Sequence, residues 1–211
     1  MSRSRHPAAG YDYVTTLIAP PALLTGIHNQ ILYNLHMSDK NENNWADARL
    51  GVSSEDIMLE TSNDNQQLAV QLVSQASHRL DVFTRDLDPR IFDSTEFVDA
   101  VRTLALKDNR AKIRFLVIDP DKAIKLGHRL LELSRRLTSR FELRKVHEDY
   151  SANPESYLIV DERGLLHRKL ASRYEGVANF NNPLAASGLM HHFNEVWEHS
   201  TPVLDFKRLY I

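Results

Sequence analysis

The 211-residue chain contains no cysteine. That excludes a disulfide framework, a zinc–thiolate site and a cysteine nucleophile. A thiol-free chain fits a reducing compartment, and the cytoplasm is the expected location. No apolar run approaches the roughly 20 residues that span a bilayer. Arg3 and Arg5 lie near the N-terminus, but Asp12 and Pro20-Pro21 interrupt the residues after them. Neither a membrane span nor a signal peptide is expected. Glycine is scarce, at seven residues, and neither G-x-G-x-x-G nor G-x-x-x-x-G-K-S/T occurs. This argues against the phosphate-cradling loops of dinucleotide and P-loop enzymes. A global basic field is missing too. The 26 Lys and Arg are outnumbered by 28 Asp and Glu, a net charge of -2, which disfavours nucleic acid as the general partner. No cofactor and no metal is implied.

What is present is the mix of a globular protein, 42% hydrophobic and 26% charged, long enough to bury a core. The pattern divides the chain into residues 1–50, an N-terminal arm with a short amphipathic helix and a polar linker, and a domain over 51–211. The helix is expected at 22–37, where Leu24, Ile27, Ile31 and Leu35 share one face. The asparagine-rich stretch 38–49 reads as the linker, with Trp45 as an anchor inside it.

The domain opens with a short strand at Ile57-Met58-Leu59. Asn63 and Gln66 signal a helix start, and Leu68, Leu72, Ala76 and Leu80 space one helical face. Val82-Phe83-Thr84 is a second strand. Asp93 and Glu96 start a helix that buries Phe97, Val101, Leu104 and Ala105. Lys112–Ile118 is the clearest strand, rich in β-branched and aromatic residues. Asp119-Pro120 then predicts an N-cap with proline at the first helical position, and a helix carrying Ile124, Leu130, Leu131 and Leu137. A strand at Phe141–Val146, a hairpin from Tyr157 to Leu170 and a helix over about 188–198 complete the order. Alternating strands and helices predict an α/β domain, a mixed β-sheet flanked by helices on both faces.

From about Glu55 to Ser200 this order resembles one half of the phospholipase D superfamily. The matching pieces are the strand Lys112–Asp119, the hairpin Ser156–Leu170, the segment Ala178-Asn179-Phe180-Asn181, and a helix with Phe193 and Trp197. The resemblance implies a phospholipase D-like fold. Its chemistry rests on His-x-Lys-x-x-x-x-Asp, in which the histidine attacks phosphorus and the lysine holds the phosphate oxygens. With the aspartate placed on Asp161, the histidine position is Pro154 and the lysine position is Ser156. Neither can do the work, and in this register the motif is degenerate.

A shifted register starts at His167-Arg168-Lys169, a literal His-x-Lys on one strand face. It puts Tyr174 at the aspartate position with Glu175 beside it, and Asn179 comes too soon afterwards for the family spacing. The catalytic candidates are therefore His167, Lys169, Glu175 and Asn179. The leading expectation is a non-catalytic binding or regulatory module of a bacterial cell. The alternative is a metal-independent phosphodiesterase or nuclease acting as a homodimer through His167 and Lys169. Similar degenerate domains accompany acetyltransferases, so the resemblance implies a protein partner of that kind, or self-association.

Other clusters have plain readings. Adjacent His191 and His192 point about 100° apart on a helix and do not converge on a metal. His128 reads as a surface residue. Arg129, Arg135, Arg136, Arg140, Arg144 and Lys145 are interspersed with Glu132 and Glu142. That mixture favours a solvated face over a nucleic-acid surface.

Overall fold

The computed structural model describes residues 45–203, and residues 1–44 of the expected arm, the helix expected at 22–37 included, lie outside the described residues. In chain order the elements are β1 (Ile57–Leu59), α1 (Ser62–Ser74), β2 (Arg79–Thr84), α2 (Pro89–Phe92), α3 (Thr95–Lys107), β3 (Lys112–Val117), α4 (Asp121–Leu126), α5 (Arg129–Arg136) and β4 (Phe141–Lys145). A 3-10 turn at Glu148–Tyr150 leads to β5 (Ser156–Val160), β6 (Gly164–Arg168), β7 (Gly176–Asn179), α6 (Pro183–His199) and β8 (Thr201–Pro202).

The strands form one eight-stranded sheet in the order β1-β7-β6-β5-β2-β3-β4-β8. The centre is parallel: β2 pairs with β3 and β3 with β4. On one side β5 runs antiparallel to β2 and turns back as β6, with Ser156 opposite Arg168 and Tyr157 opposite His167. Strands β7 and β1 extend that side, and β8 closes the other. This is the expected mixed sheet.

Strand alternation sends successive side chains to opposite faces. One face meets α6: Phe83, Leu116, Tyr157 and Leu165 pack with Ala186, Phe193, Val196 and Trp197. The other takes Phe115, whose ring lies 6.5 Å from Phe92 of α2 and 5.0 Å from Phe141. Helices thus cover both faces. Each fully buried large side chain contributes about 1.5–3 kcal/mol relative to exposure.

Several boundaries differ from the sequence reading, each for a local reason. Helix α1 starts on Thr61, not Asn63. The Thr61 hydroxyl accepts from the Asp64 N–H at 3.1 Å and the Asp64 carboxylate accepts from the Thr61 N–H at 2.8 Å, a reciprocal cap. It ends at Ser74, so Leu80 belongs to β2 rather than to the helical face. Helix α3 is capped by Ser94, whose hydroxyl accepts from the Phe97 N–H. The single helix expected after Asp119 is two, because Gly127 adopts φ +73 and ends α4. Pro120 is itself the cap residue, while the Asp119 carboxylate accepts from Asp121 N–H. Helix α6 begins five residues before the expected position, on Asn182 and Pro183.

Candidate functional site

Of the residues that the sequence reading set against the family motif, Ser156 lies where β5 and β6 pair, opposite Arg168 and on the face away from α6. Pro154 sits exposed in the loop before β5. Ser156 is buried, and its hydroxyl donates to the Phe83 carbonyl at 3.3 Å. Directly across the ladder, Arg168 lays its guanidinium over this position and donates to the Ser156 oxygen at 3.2 Å. Arg168 is only 2% exposed. It also donates to the Arg173 carbonyl and lies 5.8 Å from the Tyr174 ring, while its Nε has no partner among the described residues. Burial pushes its pKa down, and the neighbouring Asp88, Tyr174 and Asp86 pull it back up. Tyr174 donates to Asp88 at 2.9 Å and accepts from Arg90 at 3.0 Å. A fixed cation thus lies against the Ser156 hydroxyl.

Asp161, which the sequence reading set at the motif's aspartate, holds the backbone. It is buried, with φ 47, and its carboxylate accepts from the backbone N–H groups of Ser77, His78 and Arg79 at 2.6, 3.0 and 2.8 Å. It therefore fixes the chain where β2 begins.

The shifted register is on the other face. His167 projects toward the α6 side, edge-on to Tyr157 at 6.1 Å, with Nε2 3.3 Å from the Glu155 carboxylate. His167, Lys169 and Glu175 line one open hollow of about 330 Å³, together with Arg173 and the apolar Met58, Leu170 and Val177. Three of the four candidates are therefore brought together. Asn179 does not line the hollow. It is 1% exposed, its amide donates to Asp56 at 2.7 Å and to the Ser54 carbonyl at 2.9 Å, and its oxygen accepts from Asn181 N–H. Tyr174, at the shifted aspartate position, is turned to Asp88 and Arg90.

His191 is exposed, whereas His192 is half-buried between Tyr157, at 2.8 Å from Nδ1, and Asn153, at 3.1 Å from Nε2. This pair anchors α6 to β5. His128 is not a surface residue: it is 4% exposed and its Nδ1 accepts from the Leu130 N–H as the N-cap of α5. Sequence reasoning missed Arg168 altogether. Its signal was available as a charged residue on the inward register of β6, between Leu166 and the loop.

Residues 61–209 match the family model described as Domain of unknown function (DUF7931). No curated protein matches the chain in sequence. Among solved structures, it is similar to a phospholipase D family member, Nuc from Salmonella typhimurium, at TM-score 0.50 and 13% identity, covering 70% of this chain and 98% of that one. NucT from Helicobacter pylori gives TM-score 0.50, 10% identity and the same coverages. TrmBL2, an archaeal chromatin protein with a novel mode of DNA binding, gives TM-score 0.52 and 12% identity over 86% of this chain and 69% of that one. The fold is phospholipase D-like.

Proposed function

The chain belongs to the DUF7931 family, and from that premise we propose that it is a non-catalytic phospholipase D-like module that binds or regulates a partner. One observation carries the reading. Where the fold's chemistry needs a histidine and a lysine, the chain has Pro154 and Ser156, and Arg168 occupies the space between β5 and β6 with its guanidinium on the serine. A guanidinium locked in this way is neither a nucleophile nor a proton carrier at ordinary pH. The partner is a protein, of the acetyltransferase kind or a second copy of the chain, in a bacterial cytoplasm. Nucleic acid, which TrmBL2 binds, is the less favoured partner because the described surface mixes charge signs.

A second reading has its own support. His167, Lys169 and Glu175 share a hollow, and the Glu155 carboxylate is placed to orient the His167 ring. That arrangement suits a metal-independent phosphodiesterase. The two readings separate in one assay, hydrolysis of a chromogenic phosphodiester without metal by the wild type and by His167→Ala. The proposal expects no hydrolysis above buffer in either. Activity in the wild type that disappears in His167→Ala would replace it with the second reading.

A further inference from the structure

The opposite end of the sheet carries a different constellation. The N-terminal ends of β2, β3 and β4 border a hollow of about 340 Å³ whose wall includes Arg79, Lys112, Arg114, Arg140, Ser139 and Glu142. Because β2 and β3 are parallel six-residue strands, this end lies roughly 17 Å along the strands from the cluster around Asp88.

The arginines are held from below. Asp81, 0% exposed, sits between them on the sheet, with one carboxylate oxygen 2.7 Å from Arg114 Nε and the other 2.6 Å from Arg79 Nε. Arg114 is also stacked over the rings of Phe193 at 4.7 Å and Trp197 at 5.0 Å. Asp81 therefore takes the inner Nε of each arginine and leaves the terminal amino groups to point elsewhere. Arg79 reaches Glu162 with one of them and Arg114 reaches Asn194. Arg140 is tied to the Ala105 carbonyl and to Asn109, with no carboxylate partner among the described residues. Lys112 is exposed at the rim.

The charges do not cancel. Glu142 is committed to Arg144 at 2.7 Å. That leaves four cations against Asp81 and Glu162, an excess of two positive charges in a concave site on a chain whose net charge is -2. Excess cations cost stability by self-repulsion unless an anion joins them. Arginine forks and a lysine point charge match the tetrahedral oxygens of phosphate, and Ser139 adds a hydroxyl donor. The aromatic rings of the wall, Phe141 and Trp197, are buried at 2% and 5% exposure, so no ring face is offered to a nucleobase. We propose that this hollow is a phosphate site for a small phosphorylated ligand, recognised through a phosphate or diphosphate group. The site is separate from both catalytic registers, and its fate does not depend on the non-catalytic reading.

The test is calorimetric titration of the full chain at low salt with inorganic pyrophosphate and, separately, with a single-stranded oligonucleotide. Lys112→Glu removes a rim cation without touching the buried Asp81 pair. Lys125→Glu makes the same charge change on exposed α4, away from the hollow. Saturable pyrophosphate binding, weakened about tenfold or more by Lys112→Glu and unchanged by Lys125→Glu, is expected. Oligonucleotide binding that exceeds pyrophosphate binding and shows the same Lys112 dependence would keep the site and move the phosphate's source to a polynucleotide backbone. No saturable binding of either probe, or equal weakening by both substitutions, overturns the proposal. Circular dichroism of Lys112→Glu checks that the fold is unchanged.

Discussion

Asp161 shows how a buried carboxylate can be committed wholly to the backbone. Its three backbone hydrogen bonds close the loop before β2, and its left-handed φ sits at the turn between β5 and β6. Replacing it with alanine leaves three N–H groups without their acceptor in a partly buried place. Asp161→Ala is expected to cost about 2–4 kcal/mol in urea unfolding, and Asp161→Asn less, since one acceptor oxygen remains. A loss below about 1 kcal/mol would show that water replaces the carboxylate freely. Asp161 was legible as a position because the aspartate ends an apolar strand, but its role was not. The three N–H groups it serves lie more than 80 residues away in sequence, and no local pattern announces them. Arg168 was hidden differently. Period-two alternation assigns it to the face opposite His167, yet an arginine beside lysine and histidine reads as solvent-facing until the opposing strand is known.

At the scale of elements, β1, β3 and the β5–β6 hairpin were readable because short apolar runs were bounded by turn residues. The helix after β3 was not, because Gly127 divides it and His128 starts the second part. That cap gives α5 a pH dependence. Burial pushes the His128 pKa below its usual 6.5, with Asp93 and the Leu87 backbone opposing and Arg129 assisting. The unfolded chain then takes up the proton first as pH falls. Stability is unaffected above the ordinary histidine value, declines as pH drops below it, and levels off under the folded-state value. Asparagine can still cap α5 but cannot titrate. Wild type is therefore expected to lose more unfolding free energy between about pH 7.5 and 5.5 than His128→Asn does, read from urea midpoints. Equal losses in the two proteins would place the proton elsewhere.

At the scale of the molecule, the described body is one sheet with a core on each face, and the sheet is shared. Phe83 and Leu116 of β2 and β3 serve the α6 side, while the residues just before them on the same strands, Val82 and Phe115, serve the α1–α3 side. Neither core can be dismantled without freeing strands on which the other depends. Electrostatic ties reinforce this: Arg114 of β3 joins Asp81 of β2 to Asn194 and the rings of α6, and Arg144 of β4 lies 4.2 Å from the Trp197 ring and donates to the Trp197 carbonyl. The two faces are thus expected to unfold together. Trp197 reports the α6 face, and far-UV circular dichroism reports mostly the helices, α1 and α3 included. In a Trp45→Phe background, which leaves Trp197 as the sole tryptophan, both signals should give the same urea midpoint. Midpoints separated by more than roughly 0.3 M would mean that α6 detaches from a sheet that survives it. The hollow beside Asp81 would then lose Trp197 while its cations stayed on the sheet, and a ligand bound there could not stabilise α6. A single transition instead makes any phosphate bound beside Asp81 a stabiliser of the whole described body, raising the midpoint of both signals by the same amount.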